Sequence, residues 1–445
     1  MFSTVLVANR GEIAVRVIRA CRELGVRTVA VYSTADRDSS VVRLADEAVH
    51  IGPPQAKGSY LSVPAIVESA LRTGAQAIHP GYGFLSEDPD FAEVCEAHGI
   101  AFIGPSPRVM QQLGDKAAAR ALMAEAGLPV LPGSTGAVAS AAEAKEIARR
   151  TGYPVILKAV AGGGGRGMAV VREPGGLVHA FERTRAHARA VFGDERLYLE
   201  RFVEDARHIE VQVIGDGQGT TIHLGERDCS VQRRHQKIVE EAPAPNLPVA
   251  VRDALCAAAV RGAEAVGYVG AGTFEFVLAP SMDFHLMEIN CRLQVEHPVT
   301  EMITGVDIVR EQLLIAAGQR LSLRQEDVVR RGVAVECRVN AEDPERDFSP
   351  APGRLTEFVT PGGPFVRVDT HAYPGFLVGP HYDSLLAKTV VWAPDREQAL
   401  ARMDRALGEF RVGGEGVRTT VGFLRRTLAR PEFRSATHTT GLIGA

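Results

Sequence analysis

Two short alternating segments near the middle of the chain restrict the fold more than any other feature. Residues 273–278 and 285–290 each alternate apolar and polar side chains, and Pro280, Ser281 and Asp283 lie between them. Alternation with a period of two indicates β-strands, and proline, serine and aspartate are typical of the turn that joins two strands. The sequence therefore predicts an antiparallel hairpin at this point.

The register of this hairpin determines which polar groups meet. Pairing Leu278 with His285 places Glu275 directly opposite Glu288, with Cβ atoms about 4.5–5.5 Å apart, where like charges destabilise a sheet. A divalent cation is the simplest compensation. Asn290 lies two residues after Glu288 and therefore points to the same face. Two carboxylates and an amide oxygen suit Mg²⁺ or Mn²⁺, with phosphate oxygens completing the coordination.

Continuation of the second strand beyond Asn290 would extend the same polar face. Arg292, Gln294 and Glu296 would then join it, because alternate residues of a strand share a face. One sheet edge would carry a metal site, a cation for an anionic substrate and a candidate general base. The alternative is a solvated strand whose polar face happens to hold charged residues.

Composition excludes several classes of protein. The 445 residues are enough for about two to four domains, and 45% hydrophobic and 23% charged residues are typical of a soluble globular protein. A net charge of −4 gives no global attraction to nucleic acid or membrane. The six cysteines contain no C-x-x-C pair, which argues against disulfides and zinc and favours the cytoplasm. Neither a signal peptide nor a membrane-spanning apolar run is expected.

Strand and helix patterns alternate in the first part of the chain. Residues 4–8 and 27–32 read as apolar strands, and residues 11–24 between them carry apolar side chains at helical spacing. This βαβ unit predicts a parallel sheet with helices on its faces. The turn after the first strand lacks G-x-G-x-x-G, which argues against a dinucleotide-dependent dehydrogenase. The glycine-rich run at residues 79–87 is interpreted as a structural turn.

A second glycine-rich loop lies between predicted strands at residues 153–160 and 168–172. Five of the six residues 162–167 are glycine, so backbone N–H groups can approach phosphate oxygens closely. The loop joins two strands and lacks G-K-[ST], so a mobile flap over a nucleotide fits better than a P-loop. Lys158 and Arg166 add cations on both sides of it. The alternative is a flexible hairpin tip.

Other cations occur where an anion could bind. Asp115 is placed to cap a helix at residues 116–126, which puts Lys116 in its first turn, where the helix dipole slightly disfavours a lysine. This lysine is either a solvated surface residue or one reserved for a phosphate. The basic cluster at residues 233–237 is too short and too closely flanked by acids for nucleic acid. The remaining interpretations of this cluster are a site for a small anion and a surface salt-bridge network.

From residue 331 onward, short strands precede helices. Residues 333–342 alternate cleanly, with Arg338 on the polar face. Further strands are predicted at residues 353–359, 365–369 and 384–391. A helix at residues 396–407 and two more helices complete an α+β domain. Arg338 gains functional interest only if its face turns toward the predicted metal hairpin.

Together these motifs resemble those of the biotin carboxylase family over essentially the whole chain. The matching runs are N-R-G-E-I-A, H-P-G-Y-G-F-L-S-E, G-G-G-G-R-G-M, E-R-D-C-S-V-Q-R-R-H-Q-K, E-I-N-C-R-L-Q-V-E-H-P-V-T-E and E-C-R-V-N-A-E-D-P. The resemblance implies a three-domain ATP-grasp enzyme of the α/β and α+β classes. Its parts would be an N-terminal βαβ domain (1–114), an ATP-grasp domain (115–330) with a mobile glycine-rich lid (131–203), and a C-terminal α+β domain (331–445).

The resemblance also implies roles for individual residues. ATP would be bound, with residues 200–203 at the adenine, by Lys116, Lys158, Gly164, Gly165, Glu200, Arg201, Phe202, Val203, His208, His235, Glu275 and Glu288. Two Mg²⁺ or Mn²⁺ ions would be held by Glu275, Glu288 and Asn290. Bicarbonate would be bound by Lys237, Arg292, Gln294 and the backbone of Val295. The expected catalytic residues are Lys237, Arg292, Glu296 as the general base and Arg338 at the biotin ureido oxygen.

The implied reaction is ATP-dependent carboxylation of biotin by bicarbonate, through carboxyphosphate, giving N1-carboxybiotin, ADP and phosphate. It would be the first half-reaction of acetyl-CoA carboxylase, in fatty acid biosynthesis, or of a related acyl-CoA carboxylase. Because the chain contains no Met-Lys-Met biotinylation motif, biotin is expected on a separate biotin carboxyl carrier protein, with carboxyltransferase subunits acting downstream. The family further implies a cytoplasmic homodimer, with no nucleic-acid or membrane partner.

Two positions depart from the family pattern, and two alternatives stay open. Ala161 replaces a frequent glycine, and Cys291 stands where threonine is common. Another ATP-grasp ligase, forming carbamoyl phosphate or an aminoimidazole carboxylate, would share the metal hairpin but not the motifs that follow it. A non-catalytic nucleotide-binding scaffold would be expected to have lost some of the catalytic side chains.

Overall fold

The computed structural model describes residues 1–162 and 165–444, and its N-terminal part is a parallel α/β layer. Five strands lie in the order β3–β2–β1–β4–β5. They are β1 (Thr4–Val7), β2 (Arg27–Ser33), β3 (Glu47–Gly52), β4 (Ala77–His79) and β5 (Ala101–Phe102). The helices are α1 (Gly11–Glu23), α2 (Ser40–Leu44), α3 (Val63–Thr73), α4 (Pro89–Ala97) and α5 (Pro107–Gly114). The predicted βαβ unit is confirmed, because β1 and β2 pair in parallel.

A small antiparallel sheet with its own core follows. Its strands lie in the order β7–β6–β8. The elements of this part are α6 (Lys116–Glu125), α7 (Ala141–Thr151), β6 (Val155–Ala159), β7 (Met168–Val171), α8 (Leu177–Phe192) and β8 (Leu197–Arg201). Leu157 of β6 and Phe181 of α8 are both fully buried in the core between them. The predicted strand–loop–strand arrangement is confirmed, while Gly163 and Gly164 lie outside the described residues.

The centre of the molecule is an eight-stranded antiparallel sheet that continues from the middle of the chain into its C-terminal part. The strand order is β13–β12–β9–β10–β11–β14–β21–β19, in which β14 (Val333–Asn340), β19 (Val366–Thr370) and β21 (Leu385–Ala393) come from the C-terminal part. The strands of the middle part are β9 (Arg207–Asp216), β10 (Thr221–Arg233), β11 (Gln236–Ala242), β12 (Val269–Leu278) and β13 (Phe284–Asn290). The helices beside them are α9 (Val249–Val266), α10 (His297–Thr304) and α11 (Ile308–Ala316). Because β11 pairs with β14, side chains from both parts of the chain share one sheet face.

The C-terminal part adds short strands and three helices. The strands are β14 (Val333–Asn340), β15 (Glu342–Asp343), β16 (Ser349–Pro350), β17 (Gly353–Arg354), β18 (Glu357–Val359), β19 (Val366–Thr370), β20 (Leu377–Val378), β21 (Leu385–Ala393) and β22 (Arg411–Gly413). The helices are α12 (Arg396–Glu409), α13 (Val421–Leu428) and α14 (Pro431–Arg434). Within the described residues, no helix combines the length and the apolar character needed to cross a membrane.

The single strand predicted at residues 353–359 is wrong, because the chain changes partners there. β17 pairs with β20, whereas β18 pairs with β22. The Leu355 N–H donates to Phe376 on one side, and the Thr356 N–H donates to Gly413 on the other. Alternation of side chains cannot reveal such a switch, since both halves keep the same period.

The predicted hairpin is present, but its register near the turn differs from the expectation. Leu278 pairs with Phe284, and His285 pairs with Val277 rather than with Leu278. The tight turn, in which the Ala279 N–H donates to Asp283 at 2.8 Å, sets this offset. A bulge between the Phe276 and Glu275 pairs then adds one residue on β13. The predicted pairing of Glu275 with Glu288 is restored by that bulge and is confirmed.

Candidate active site around the carboxylate pair

Glu275 lies in a basic and amide-lined environment on the sheet face. Its Oε1 accepts hydrogen bonds from Lys237 Nζ at 2.7 Å, Asn290 Nδ2 at 2.7 Å and Gln294 Nε2 at 2.8 Å. Its Oε2 lies 3.1 Å from His208 Nε2. Four predicted site residues therefore converge on one carboxylate, although they come from β9, β11, β13 and the segment after β13.

Glu288 has its own cation, Lys116, which lies in the first turn of α6. Lys116 Nζ lies 2.5 Å from Glu288 Oε2. Asp115 caps α6 by accepting from the N–H groups of Ala117 and Ala118, as predicted, and this fixes the start of the helix beneath the lysine. Lys116 is the main reason that the pKa of Glu288 is lowered to about 2. The carboxylate is therefore ionised throughout the neutral range.

A second carboxylate, Glu296, lies between two cations. Its Oε1 accepts from Lys237 Nζ at 2.7 Å, and its Oε2 accepts from Arg338 Nη2 at 2.9 Å. Burial and the neighbouring Glu210 favour the neutral acid, but the attraction of Lys237 and Arg338 outweighs them and keeps the pKa of Glu296 below its ordinary value. Glu296 is therefore ionised and can accept a proton, although the two cations make it a weaker base than a free glutamate.

Lys237 connects the two carboxylate sites. Besides Glu275 and Glu296, its ammonium contacts Glu210 Oε2 at 2.6 Å. Burial disfavours the charged ammonium, but these three carboxylates raise the pKa of Lys237 well above its ordinary value. Arg227 is fully buried, and its Nε lies 2.5 Å from Glu210 Oε1. It balances the remaining negative charge of the carboxylates. Lys237 is thus a permanent cation at the centre of the site.

The second strand of the hairpin ends at Asn290, so the continuation that would place Arg292, Gln294 and Glu296 on its polar face does not occur. Directly after the strand, Glu87 accepts the Cys291 N–H at 2.9 Å. The same Glu87 accepts from Arg292 Nε at 2.9 Å. Arg292 also donates to Asn290 Oδ1 at 3.0 Å and to Gln294 Oε1 at 2.8 Å. The predicted residues therefore meet in an irregular segment before α10.

On the nucleotide side, predicted residues from three segments approach one another. Lys158 of β6 contacts the buried carboxylate of Glu200 on β8. Gly165 lies against the β10–β11 turn, where a Cβ at this glycine would come within 2.4 Å of the His235 side chain. Gly165 also has a φ of +76°, which favours glycine. The predicted role of Gly164 falls outside the described residues.

Arg201, Phe202 and Val203 lie at the end of β8, where the chain leaves the small sheet. The N–H groups of Arg201 and Phe202 donate to the carbonyls of Pro132 and Pro154, at 2.8 and 3.0 Å. These two donors are therefore engaged within the protein. An adenine edge at this segment would be met by its remaining backbone groups and by side chains.

Comparison with known proteins identifies the family. Three family models match the chain in succession: the N-terminal domain of biotin carboxylase over residues 1–110, the ATP-binding domain of the carbamoyl-phosphate synthase L chain over residues 115–324, and the C-terminal domain of biotin carboxylase over residues 336–445. The chain belongs to the biotin carboxylase family. ATP-dependent carboxylation of biotin, a ligase reaction, is accordingly its activity.

Other biotin carboxylases resemble this chain over its full length. The biotin carboxylase of a Nostoc species is 52% identical over 442 residues, which are 99% of this chain and 98% of that protein. Biotin carboxylase 1 of Bacillus subtilis is 51% identical over 436 residues, covering 98% and 96%. The structure of Campylobacter jejuni biotin carboxylase in its β,γ-ATP complex has a TM-score of 0.97 at 46% identity, covering 100% and 98% of the two chains.

A further similar structure contains the ligands of the reaction. It is the biotin carboxylase domain dimer of Hydrogenobacter thermophilus 2-oxoglutarate carboxylase, in complex with MgADP, ADP and bicarbonate. Its TM-score against this chain is 0.96 at 48% identity, with 100% of this chain and 97% of that chain covered. The likeness extends across all three parts of the fold.

The donor set at the hairpin fits the magnesium used by the biotin carboxylase family. Glu275, Glu288 and Asn290 offer hard oxygen atoms from adjacent positions of one sheet edge, and hard oxygen ligands are those that Mg²⁺ prefers. A second group of potential ligands, His208, Glu210 and Glu275, has ligand atoms within 4.8 Å of one another. Both sets contain Glu275, and the oxygen-only set fits Mg²⁺ better because it includes no imidazole nitrogen.

Sequence reasoning missed several residues that shape this biotin carboxylase site. Glu87 was placed in a structural turn, yet it holds both Arg292 and the Cys291 backbone. Glu210 and Glu240, which hold Lys237 and Arg338, are not among the site residues that the sequence predicts. Glu210 could have been found, because it lies two residues after His208 on the same strand face. The contact of Glu87 joins positions more than two hundred residues apart and leaves no local pattern.

Proposed function

We propose that this chain activates bicarbonate with ATP and then carboxylates N1 of biotin presented by a separate carrier protein. The observation that supports this most directly is the position of Glu296 between Lys237 and Arg338, at 2.7 and 2.9 Å. The proposed reaction deprotonates bicarbonate and then stabilises the ureido anion of biotin. Glu296 suits the first task, and the fixed cations beside it suit the second.

In the first step, bicarbonate attacks the γ-phosphorus of ATP, forming carboxyphosphate and releasing ADP. Lys237, Arg292, Gln294 and the Val295 N–H bind the bicarbonate in our proposal, and Glu296 removes its proton. Arg292 is held in place by Glu87 at 2.9 Å, so its guanidinium is oriented before the substrate arrives. Positioning and charge neutralisation supply most of the catalysis in phosphoryl transfer.

The nucleotide is assigned to the cleft between the small sheet and the carboxylate pair. Lys116 and Lys158 both lie against glutamates, Glu288 and Glu200, and in our proposal they exchange these partners for phosphate oxygens. Gly164, Gly165, His208, His235 and residues 200–203 complete the ATP site. Glu275, Glu288 and Asn290 hold two Mg²⁺ or Mn²⁺ ions, which neutralise the phosphate charge when bound.

In the second step, carboxyphosphate breaks down to CO₂ and a basic phosphate ion. Biotin N1 transfers its proton to this phosphate and attacks the CO₂. Arg338 then stabilises the negative charge that develops on the ureido oxygen. Its Nε is buried and has no hydrogen-bond partner among the described residues, which leaves a donor for this purpose. A small recess beside Arg338, lined also by Ile238 and Phe348, marks the side from which the ureido ring would approach.

The domain organisation of the proposal follows the packing. We propose an N-terminal domain at 1–114, an ATP-grasp domain at 115–330 and a C-terminal domain at 331–445. A lid at 131–203 is supported by the separate core of the small sheet. The boundary at residue 330 separates two domains that share the eight-stranded sheet through β11 and β14.

The partners of the proposal are a biotin carboxyl carrier protein, carboxyltransferase subunits and a second copy of this chain. The related domain of Hydrogenobacter thermophilus is a dimer, which supports the homodimer. We place the enzyme in the cytoplasm, where its six buried cysteines, none in a disulfide, would stay reduced. Its product would serve acetyl-CoA carboxylase or a related acyl-CoA carboxylase.

The experiment that tests the proposal measures ADP release from the purified protein with Mg·ATP and bicarbonate, with and without free biotin. We expect slow bicarbonate-dependent hydrolysis that biotin accelerates. If an amine substrate accelerates ADP release and biotin does not, the proposal is wrong and the chain is a different ATP-grasp ligase. Binding of ATP without any turnover would instead indicate a nucleotide-binding scaffold.

A further inference from the structure

The segment from Cys291 to Glu296 carries most of the bicarbonate site, yet it belongs to no strand or helix. Two side chains from distant parts of the chain hold its backbone. Glu87 accepts the Cys291 N–H at 2.9 Å, and Lys388 Nζ donates to the Val295 carbonyl at 2.8 Å. The segment is therefore anchored near both ends by side chains of the flanking domains.

Lys388 is an unusual anchor because it is completely buried. It lies on β21 with no solvent exposure, and its ammonium contacts Glu12 Oε1 at 3.0 Å. Glu12, in the first turn of α1, is itself buried and also accepts a hydrogen bond from the Tyr82 hydroxyl. Burial of an ammonium is costly, and Glu12 supplies the compensating charge.

The position of Lys388 in the sheet directs it to the active site. Lys388 is paired with Arg338 on β14, so the two side chains lie next to each other on one face. Arg338 reaches Glu296, whereas Lys388 reaches the carbonyl of the residue before it. The other charged groups that face Lys388 are Glu336 and Asp369. Neither of them contacts the Cys291–Glu296 segment in the hydrogen bonds of the described residues.

We propose that Lys388, supported by Glu12, is a positioning residue that fixes the Val295 peptide in the orientation required for bicarbonate binding. This inference rests on the proposed function, in which the Val295 N–H binds bicarbonate. The Val295 carbonyl is coplanar with the Glu296 N–H, and only the two backbone dihedrals of Val295 separate that plane from the Val295 N–H. Holding the carbonyl therefore restricts both that donor and the backbone that carries the Glu296 carboxylate. A buried ion pair that merely connects domains is the competing explanation.

Two variants separate positioning from stability. Lys388→Met removes the anchor and leaves Glu12 buried without a cation, so it should lower the melting temperature strongly. The double variant Glu12→Gln/Lys388→Met also removes the unpaired charge, so its melting temperature should recover. Both variants should nevertheless raise the KM for bicarbonate about tenfold or more, with the KM for ATP changed less than about twofold. ADP release at varied bicarbonate and ATP concentrations measures these constants.

A control variant removes an ion pair elsewhere, between the half-buried Arg396 and the buried Glu241. Arg396→Met takes a guanidinium from Glu241, at 2.7 Å, without touching the Cys291–Glu296 segment, and should lower stability but leave the KM for bicarbonate unchanged. Recovery of both melting temperature and bicarbonate KM in the double variant would overturn the proposal, as would an equal rise in both KM values. Absence of bicarbonate-dependent turnover in the wild-type enzyme would instead contradict the proposed function itself.

A binding measurement, which requires no turnover, also tests the positioning role of Lys388. Bicarbonate added with MgADP should raise the melting temperature of the wild-type protein and of Arg396→Met, because a ligand stabilises the state that binds it. The double variant should show no such shift at the same bicarbonate concentration. A wild-type-sized shift in the double variant would show that Lys388 does not position this site.

Discussion

Glu240 lies directly opposite Glu336 across the β11–β14 pair, and neither side chain is exposed to solvent. Burial is the main cause that raises the pKa of Glu240 to about 7, and it raises the pKa of Glu336 well above its ordinary value. The charged groups facing the pair are Lys237, Glu296, Arg338 and Lys388. At neutral pH the two carboxyls therefore share at least one proton, and they titrate as a pair.

The first prediction concerns Glu336→Gln and the pH dependence of stability. A carboxyl whose pKa is higher in the folded state keeps a proton that the unfolded chain has lost. Its contribution is therefore present below about pH 4.3 and is lost as the pH rises through the raised pKa, which is about 7 for Glu240 and is also well above the ordinary value for Glu336. Glu336→Gln removes one of the facing charges. The free energy of unfolding of the variant should therefore exceed that of wild type at pH 8 by on the order of 2 kcal/mol. At pH 5 the two free energies of unfolding should differ less.

Urea unfolding at the two pH values measures this difference. The exposed Glu68, in α3, gives a control, because Glu68→Gln should change stability by a similar small amount at both pH values. A Glu336→Gln variant that loses as much stability as wild type between pH 5 and pH 8 would show that the facing pair does not hold a proton.

The second prediction concerns Glu296→Gln. The substitution keeps the shape but removes the negative charge between Lys237 and Arg338, so no base remains to deprotonate bicarbonate. Biotin-stimulated ADP release should fall by about 10²–10⁴-fold, with ATP binding retained. Glu226→Gln is a matched control, since Glu226 is equally buried but pairs with Arg330. Turnover of Glu296→Gln within tenfold of the control would exclude Glu296 as the base.

The third prediction concerns the metal requirement. Glu288→Gln removes one of the two facing carboxylates and leaves the half-buried Lys116 without its partner, so the variant should also be less stable than wild type. ADP release should require a higher Mg²⁺ concentration and should reach a lower maximum, by about tenfold or more. Titration of Mg²⁺ and Mn²⁺ checks this, and EDTA should abolish turnover of the wild-type enzyme. An unchanged Mg²⁺ requirement in the variant would contradict the assignment.

The sequence predicts this fold wherever the evidence is local. The βαβ unit, the Asp115 cap and the hairpin all follow from spacing within short segments. The pairing of Glu275 with Glu288 was correctly predicted although the register at the turn was not, since a bulge compensates for the offset. Bulges depend on the geometry of a particular turn, which alternation does not encode.

The interactions between distant residues could not be predicted in this way. Glu87 with Arg292, Lys388 with Val295 and Glu240 with Glu336 each join segments that come together only in the folded sheet. Alternation showed that Arg338 lies on a polar face, but such faces are usually exposed. Only the pairing of β11 with β14 turns that face toward Lys237 and buries it.

The final prediction concerns Arg338→Lys, which tests whether the guanidinium itself is required. Arg338 Nη2 lies 2.5 Å from Glu240 and 2.9 Å from Glu296, and this leaves the buried Nε as a further donor. A lysine keeps the charge as a single point and cannot hold both carboxylates while presenting another N–H in a fixed direction. Bicarbonate-dependent ADP release without biotin should therefore persist, whereas its stimulation by biotin should fall by about 10²-fold or more.

Comparing the two rates in the same preparation makes the measurement independent of the active fraction. Equal loss of both rates would place Arg338 in the first step, and full stimulation by biotin in Arg338→Lys would show that charge alone stabilises the ureido oxygen.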